Sequence, residues 1–473
     1  MTTTSPATKN IQLPADLLQA ISAEGGGRVV IVIGAGASFE EPTEIPLARE
    51  CSEDAHRKLV DDGVLVQGDC DDPSDLSELA EVVHTKTGGQ RALVERLPRS
   101  RFRMAPPNVG STIAAALLRE GAVSAVLSLN FDLSLQRALA ELGETNHVAL
   151  IRGPDDQVDI GNVNFIYLHR SVEADPEEWV LRSKDLETSW RDGWEEMMAG
   201  RVITAASAVF AGLGAPAAVL VETAKKIRSA SKNNARAFQV DPMPQAKSAF
   251  ADALEIGADD YLQYGWCEFM VALSERLLLV HIDELKDACA AIVDREEWND
   301  STPDDLRERL GSLGLVGLGR VRASWTLEKI AYLPRTKLNA DLIADLLLGV
   351  GLIEQATGYL AVFADDGVVD FVDGENLVGS LILGSGRGTM RWGTVEATLY
   401  QRQARKGVAA RRPSTALVGS ISDQRPQAIA PPLDVLRGEV PPESILSTGG
   451  PLRLVTVDEL RSNPALAKEI IGD

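Results

Sequence analysis

The chain has 473 residues, of which 45% are hydrophobic and 25% are charged, and its formal net charge is −22 at pH 7. This length predicts two or three domains, and the composition is typical of a globular protein with sizeable apolar cores. The negative charge repels nucleic-acid backbones and therefore disfavours direct DNA or RNA binding. No stretch reaches the roughly 20 apolar residues that span a bilayer, and the first residues lack a signal-peptide pattern. We therefore expect a cytoplasmic protein that does not enter membranes.

The cysteines are few and lie far apart in the sequence, at Cys51, Cys70, Cys267 and Cys289. A structural zinc site needs four ligands placed together, usually as CxxC pairs, and this spacing provides none. We therefore predict reduced thiols, without a disulfide framework and without a bound metal.

The N-terminal half alternates short apolar runs with helix-length amphipathic segments, which is typical of a parallel sheet whose strands are joined by helices. Near-continuous β-branched runs predict strands at Arg28–Gly34, Val123–Asn130, Val163–His169 and Ser207–Gly214. Helical patterns occupy Pro46–Asp61, Asp75–Leu97, Val109–Glu120, Asp132–Leu142 and Ala215–Arg228, and a helical block follows from Gln245 to Asp294. The predicted fold class is α/β, with a Rossmann-like parallel sheet and helical insertions.

A cluster of charged residues, Ser, Thr and Pro at Glu296–Asp304 predicts a linker between residues 1–295 and residues 305–473. Beyond it, the pattern predicts a helix at Leu338–Ile353, a hairpin that turns at Asp365–Gly367, and strands in STALVGS and LRLVT. These elements predict a smaller mixed α/β C-terminal domain. Its glycine-rich stretch 384–388 is a flexible loop or a phosphate-binding nest. Its arginine-rich stretch 402–412 is a solvated face or a docking patch for an acidic partner or a nucleotide.

The first predicted strand runs into Gly34-Ala35-Gly36-Ala37-Ser38, followed by a short loop and a helix. Glycines let a backbone approach a pyrophosphate, and amides at a helix start can bond its oxygens, although many such turns contain glycine for steric reasons alone. The redox fingerprint G-x-G-x-x-G is incomplete, because Phe39 stands at the third glycine position. The turn therefore favours a bound dinucleotide and disfavours a nicotinamide-dependent dehydrogenase.

Two later predicted strands end on polar residues, in Asn130-Phe131-Asp132 and in Leu168-His169. Ligands of open α/β sheets bind at the carboxyl ends of strands, so these residues can converge with the glycine turn. An amide, a carboxylate and an imidazole beside a phosphate cradle suit cleavage of a glycosidic bond with a good leaving group. The alternatives are structural: Asn130 and Asp132 also suit a helix N-cap, and His169 alone could be a hydrogen-bonded core residue.

These motifs, in this order, resemble the sirtuin-like family, in particular the bacterial sirtuin-like NAD hydrolases of anti-phage defence. The resemblance spans about residues 25–230 and includes GAGAS, LNFD, the strand ending in LH, and the acidic-aromatic segment EEWVLRSKDLETSW. The later segment SAVFAGLGAPAAVL resembles the strand and glycine turn that close the NAD pocket in this family.

The resemblance implies that NAD is the substrate and that the nicotinamide–ribose bond is cleaved without a metal. Asn130 would orient the ribose hydroxyls or the attacking water, Asp132 would help to position the nicotinamide end, and His169 would be the general base. A base with a pKa near 7 suits this role. The residues that would bind the cofactor are Gly34, Ala35, Gly36 and Ser38 at the diphosphate and nearby ribose, with Gly212 and Gly214 at the later turn.

The chain departs from the family pattern at Arg170, which follows His169 where the family usually has glycine. If this position needs a positive φ, an arginine costs on the order of 1 kcal/mol or more. Its guanidinium would also disfavour the imidazolium form of His169. The lack of paired CxxC motifs further disfavours a zinc-containing lysine deacetylase.

An unrestrained NAD hydrolase would kill its own cell, so the resemblance implies an inactive resting state. We expect activation by a signal, by assembly of a homo-oligomer or by a co-encoded protein partner, with the C-terminal domain as the regulatory or partner-docking part. The alternative is a catalytically inactive nucleotide-binding sensor or scaffold in a larger complex, with Arg170 as its mark.

Overall fold

The computed structural model describes residues 11–23, 29–143, 145–182, 198, 207–213, 236–296, 302–326, 337–386, 398–404, 415–420 and 453–471. The chain divides into two compact units, Met1–Arg276 and Leu277–Asp473. Within the predicted linker Glu296–Asp304, residues 297–301 lie outside the described ranges. The division into functional domains at 1–295 and 305–473 stays a prediction.

The first unit is a seven-stranded sheet in the order β3-β4-β2-β1-β5-β6-β7, and every neighbouring pair is parallel. This confirms the predicted Rossmann-like parallel sheet. The strands are β1 (Val29–Ile33), β2 (Val123–Ser128), β3 (Val148–Ile151), β4 (Val163–Tyr167), β5 (Ser207–Ala211), β6 (Arg236–Val240) and β7 (Tyr261–Leu262).

Helices of the first unit connect these strands. They are α1 (Ala15–Ser22), α2 (Ala48–Asp61), α3 (Leu76–Thr87), α4 (Arg91–Val94), α5 (Arg99–Met104), α6 (Val109–Arg119), α7 (Ser134–Leu142), α8 (Ala249–Ala253) and the long α9 (Trp266–Glu296), which continues past residue 276. The helices predicted before β2 and after it are confirmed, whereas the helix predicted at Ala215–Arg228 lies outside the described residues.

The core of the sheet follows from the apolar runs. All five residues of β1 are buried, and so are all five of β4 and of β5, because helices cover both faces of a parallel sheet. The chain leaves β1 for β2 on one side and later enters β5 on the other side. The carboxyl end of β1 is therefore the point where the strand order reverses, which is where open α/β sheets bind ligands.

Two sequence predictions in the first unit are wrong in detail. The helix predicted at Asp75–Leu97 ends at Thr87, because Gly88 adopts φ 78° and its amide bonds the carbonyl of His84, and a separate short helix follows. The predicted helical block from Gln245 to Asp294 contains the two-residue strand β7 before α9 begins at Trp266.

The second unit contains a five-stranded sheet in the order β12-β11-β10-β9-β8, antiparallel from β8 to β10 and parallel from β10 to β12. This confirms the predicted smaller mixed domain and its hairpin. Its elements are α10 (Thr302–Gly311), α11 (Gly314–Trp325), α12 (Lys337–Thr357), β8 (Leu360–Phe363), β9 (Val368–Asp373), β10 (Asn376–Gly384), β11 (Thr415–Val418), β12 (Arg453–Thr456), α13 (Val457–Ser462) and α14 (Leu466–Ile471). Within the described ranges, no helix combines the length and the apolar character needed to cross a bilayer.

Candidate functional site

The carboxyl ends of four strands lie level at one edge of the first sheet. Ile33 of β1 pairs with Ser128 of β2 and with Ala211 of β5, and Ser128 pairs with Tyr167 of β4. Because all four strands are parallel, the residues that follow these pairs lie at the same edge. The strand register therefore brings the glycine turn and the two predicted polar strand ends together.

A line of hydrogen bonds connects the turn after β1 with the segment after β2. The side-chain amide Nδ2 of Asn130 donates to the carbonyl of Gly34 (2.9 Å) and to Oγ of Ser38 (3.0 Å). The Ser38 hydroxyl donates to Oδ2 of Asp132 (2.8 Å). All three side chains are buried. We refer to Ser38, Asn130 and Asp132 as the polar line.

Asp132 also bonds to the first residue of the helix that follows it. Its Oδ1 accepts from the amide (2.9 Å) and the hydroxyl (2.5 Å) of Ser134, the first residue of α7. The structural alternative for Asp132, satisfaction of a free helix amide, is therefore present in the fold. Tyr167 donates its hydroxyl to the Asp132 carbonyl (3.0 Å), and burial, followed by the Asp132 charge, raises the Tyr167 pKa well above its ordinary value. The Ser38 hydroxyl, together with the amide and the hydroxyl of Ser134, holds the Asp132 carboxylate in one orientation.

His169 lies beside the end of β2. The His169 residue as a whole keeps some accessible surface, but its Nε2 atom is buried. Burial, and then the charge of Arg170, lower the His169 pKa to about 4, although a hydrogen bond to the backbone of Leu129 opposes this shift. The expected pKa near 7 is wrong for this environment. At neutral pH the imidazole is uncharged.

Arg170 occupies the left-handed backbone region, with φ 73°. This agrees with the expectation from the sequence, because glycine usually stands at this position in the family that the motifs resemble. The arginine side chain passes over the loop after β3, where a Cβ on Gly153 would lie 3.8 Å from its Nε. The strained conformation costs on the order of 1 kcal/mol or more. The charge of this strained residue is the second cause of the low His169 pKa.

The glycines of the turn after β1 have a packing role. A Cβ on Gly36 would lie 2.7 Å from the Cα of Gly212, and a Cβ on Gly34 would lie 2.7 Å from the Gly212 carbonyl oxygen. Gly212 itself has φ 67°, and a Cβ there would overlap the backbone nitrogen of Ala37. The turns after β1 and β5 therefore interlock through bare backbone. Gly214, the other glycine assigned to the later turn, lies outside the described residues.

Three amides of the glycine turn are already bonded within the protein. The Gly34 amide donates to Ala211 (2.9 Å), the Gly36 amide donates to Gly212 (3.0 Å), and the Ala37 amide donates to Gly34 (3.0 Å), each at a backbone carbonyl. The first two bonds join the turn to the end of β5, and the third lies within the turn itself. A diphosphate role for the turn stays a prediction, and it would not come from these three amides. Ala35 and Gly36 keep partly accessible surface.

An aromatic stack includes Phe131, the residue between Asn130 and Asp132. The rings of Phe131 and Trp179 are stacked, with centroids 4.2 Å apart and planes 13° from parallel. The Val172 amide donates to the Phe131 carbonyl (2.8 Å), and Gln90 donates its side-chain amide to the Trp179 carbonyl (2.6 Å). The segment after His169 is therefore tied to the residue between Asn130 and Asp132. Sequence reasoning missed Gln90, because no local signal marks it.

The described residues contain no group of three or more His, Cys, Asp or Glu side chains that could hold a metal ion. None of the four cysteines forms a disulfide with another described residue. Burial raises the pKa of Cys51 and of Cys70 to about 11 and that of Cys267 to about 12, so these thiols stay protonated at neutral pH. Their side chains are poor nucleophiles and poor metal ligands in this state.

No family model matches the chain, and no curated protein matches it significantly. Similar solved structures include one from work on the mechanism and regulation of Sir2 enzymes, which is 16% identical, covers 55% of this chain and 95% of its own, and has a TM-score of 0.30. A Sir2 homologue in complex with NAD is 17% identical over 56% of this chain and 93% of its own, with a TM-score of 0.31. A mutant Sir2 homologue in complex with ADP-ribose is 18% identical over 56% of this chain and 96% of its own, with a TM-score of 0.32. TM-scores of this size carry no argument about chemistry, so the chemistry of the chain is inferred from its own residues.

Proposed function

We propose that the chain binds NAD along the carboxyl edge of its parallel sheet and hydrolyses the bond between nicotinamide and ribose. The observation that carries the proposal is the polar line of Ser38, Asn130 and Asp132 at the strand ends beside His169. The order of the sequence motifs, which resemble those of the sirtuin-like family, supports NAD as the dinucleotide.

The proposed cleavage of the nicotinamide–ribose bond depends more on positioning of the reactants than on a strong acid or base. Nicotinamide leaves as a neutral molecule through an oxocarbenium-like transition state, so correct placement of the ribose and of water supplies much of the rate. Asn130 is assigned to orienting a ribose hydroxyl or the attacking water, and the Asp132 carboxylate to the nicotinamide end. The water oxygen bonds to the anomeric carbon, its proton passes to His169 and then to solvent, and the products are nicotinamide and ADP-ribose.

His169 is suited to this step in one respect and weak in another. Its lowered pKa keeps the imidazole neutral and able to accept a proton throughout the physiological range. A base with a pKa of about 4 is nevertheless weaker than the ideal catalyst at neutral pH, for which base catalysis contributes about 10²–10⁴-fold. The negative charges of a bound diphosphate would raise this pKa, because they favour the imidazolium form.

We propose further that the protein is an effector of anti-phage defence that rests in an inactive state in the cytoplasm. This part of the proposal rests on the family resemblance of the sequence motifs and on the toxicity of unrestrained NAD consumption. The C-terminal domain is assigned to regulation, or to docking of a signal or a co-encoded protein partner.

The test is incubation of the purified full chain with NAD, with and without candidate activators, and quantification of nicotinamide and ADP-ribose. We expect release of nicotinamide that falls by about 100-fold or more in Asn130→Ala and in His169→Ala, in line with the loss of positioning and base catalysis. His84→Ala, on α3 and away from the strand ends, is the control and should keep the wild-type rate. Full rates in both site variants would show that the assigned site is wrong.

The second candidate function is a nucleotide sensor that binds NAD or ADP-ribose without cleaving it. The favouring observation is the combination of the strained Arg170 with a histidine whose pKa is about 4. Calorimetry separates the two candidates. A sensor binds the nucleotide and leaves it intact with every activator, whereas a hydrolase converts it to products.

A further inference from the structure

The helix α9 begins without the side chain that usually caps a helix start. Gly265 precedes its first residue, Trp266, and the Gly265 carbonyl accepts the first bond of the helix, from the amide of Phe269 (3.0 Å). A residue at this position normally offers a side-chain oxygen to one of the free amides that follow. Glycine has no such oxygen, so the amide of Cys267 needs an acceptor from elsewhere in the chain.

Glu40 supplies this acceptor from the loop that follows the glycine turn. The Cys267 amide donates to both carboxylate oxygens of Glu40, each at 3.3 Å, across 227 residues of sequence. A Cβ on Gly265 would lie only 3.0 Å from Oε1 of Glu40, so the glycine leaves the space that the carboxylate occupies. A negative charge is favoured at a helix start, because it complements the helix dipole. Glu40 therefore caps α9 in place of the missing side chain.

A second helix start holds the same part of the chain. Asn108 caps α6 through its Oδ1, and its Nδ2 donates to the carbonyl of Ala37 in the glycine turn (2.9 Å). The two helix starts also contact each other. The Gly110 amide donates to Sγ of Cys267 (3.4 Å), and a Cβ on Gly110 would overlap the indole ring of Trp266. The glycine turn is thus held from α6 at Ala37 and from α9 three residues later.

Ser38 lies between these two points of attachment. Its side chain bonds to Asn130 and Asp132 in the polar line, and its carbonyl accepts from the Ile45 amide (2.9 Å), where the loop returns. The backbone is therefore fixed on both sides of a residue that belongs to the candidate site. A ligand that meets a loop already held in place spends less binding free energy on ordering it.

We propose that Glu40 is a positioning residue for NAD: its bond to α9 holds the loop beside the glycine turn in the conformation that receives the dinucleotide. The inference rests on the proposed function, because it takes the edge with the polar line as the NAD site. Glu40 is assigned no contact with the substrate. Its loss should raise the KM and the Kd for NAD and leave kcat nearly unchanged, because the bound state still contains the complete polar line.

The test measures NAD cleavage at steady state and NAD affinity by calorimetry, on the full chain, for Glu40→Ala and Glu41→Ala. Glu41 is the matched control, because it is the next residue of the same loop and its side chain is exposed. Each variant removes one negative charge, so general repulsion of the diphosphate changes alike in both. We expect Glu40→Ala to raise KM and Kd by about threefold to tenfold, in line with the loss of a charged helix cap. Glu41→Ala should stay close to the wild type.

Two further measurements separate positioning from a general loss of structure. Glu40→Gln keeps an oxygen that can accept from the Cys267 amide, so it should recover most of the affinity that Glu40→Ala loses. Hydrogen exchange reports on the loop without substrate. The amides of residues 39–47 should exchange faster in Glu40→Ala than in the wild type, and saturating NAD should remove the difference.

The possible failures are distinguishable. A wild-type chain that neither binds nor cleaves NAD would overturn the proposed function and the role of Glu40 with it. A wild type that binds NAD, with equal affinities in Glu40→Ala and Glu41→Ala, would overturn the role of Glu40 and leave the proposed function standing. So would a loss confined to kcat. Thermal unfolding of every variant checks that the fold is retained.

Discussion

The two sheets of this chain each end in a buried polar cluster, and the two clusters differ in what they contain. At the edge of the first sheet, Ser38, Asn130 and Asp132 bond to one another beside His169. At the carboxyl ends of β10 and β11, the Asp345 carboxylate accepts from the Ser420 amide (2.6 Å). Both clusters follow parallel strands, but only the first brings an imidazole to the edge.

Glycine does not distinguish these two edges. A Cβ on Gly419 would overlap the hydroxyl of Ser385, just as a Cβ on Gly212 would overlap the backbone of the first glycine turn. Both glycines are therefore explained by close packing. The comparison teaches that a glycine turn after a strand is weak evidence for a ligand, whereas an imidazole with a displaced pKa beside a strained arginine is stronger evidence.

The largest expected effect is on the free energy of unfolding, and it distinguishes Gly212 from Gly419. Gly212→Ala should lower the free energy of unfolding by about 3 kcal/mol or more, because the added methyl group meets backbone at a residue with φ 67°. Gly419→Ala should cost about 1 kcal/mol, since it meets side-chain atoms that can move. Chemical unfolding monitored by circular dichroism measures both.

Gly63→Ala is the control for the backbone conformation alone. Gly63 has φ 73° and open space around it, so alanine there should cost only about 1 kcal/mol. If Gly212→Ala is no more destabilising than Gly63→Ala, the interlock of the two turns does not contribute to stability.

The next effect concerns pH. The folded His169 has a pKa of about 4, and the unfolded residue has its ordinary value of 6.5, so between these values the unfolded chain binds a proton that the folded chain does not. The contribution of the neutral histidine is complete above pH 6.5 and is lost as pH falls toward 4, up to about 3 kcal/mol. His169→Gln should flatten this part of the stability curve, as measured by unfolding at a series of pH values.

The same shift predicts the acid limb of the proposed hydrolysis. A base that stays neutral down to about pH 4 supports a rate that is level from pH 7 to 5, whereas an ordinary histidine would lose rate below 6.5. Arg170→Gly should move the acid limb upward, because it removes the second cause of the low pKa. Arg170→Lys keeps the charge and should leave the limb in place. The profile of kcat/KM reports the free enzyme, so a limb near 6.5 in that profile of the wild type would contradict the enclosed environment of the ring.

The smallest effect compares one serine from each edge. Ser38→Ala removes a donor from the buried Asp132 carboxylate and should destabilise the fold by about 1–3 kcal/mol. Ser385 has a buried hydroxyl for which the described residues supply no hydrogen-bond partner, so Ser385→Ala should be neutral or slightly stabilising. Thermal melting of the two variants measures both changes in stability. Equal destabilisation by Ser38→Ala and Ser385→Ala would show that the two serine hydroxyls contribute alike.

The main architecture was predictable from the sequence because strands that are buried on both faces of a parallel sheet consist of nearly continuous apolar residues. The four strands that carry the strand-end motifs were predictable from local residues, whereas the positive φ of Arg170 was raised only by the family resemblance, which has glycine at this position. Short edge strands were not, since β7 has two residues and the edge strand β3 is largely half-buried. Neither was the packing of Gly36 against Gly212, because the two are distant in sequence and only the sheet order brings them together. The low pKa of His169 likewise depends on burial that no local pattern records.

The interlocked glycine turns have a mechanical consequence. Each turn fills the space that a methyl group would need in the other, and two backbone hydrogen bonds connect them. The ends of β1 and β5 are thereby held in close backbone contact, which leaves no room for a ligand between them. Any gate at this edge must therefore be built from chain outside these two turns, and within the described residues the loop that begins at Phe39 leads directly out of the first turn.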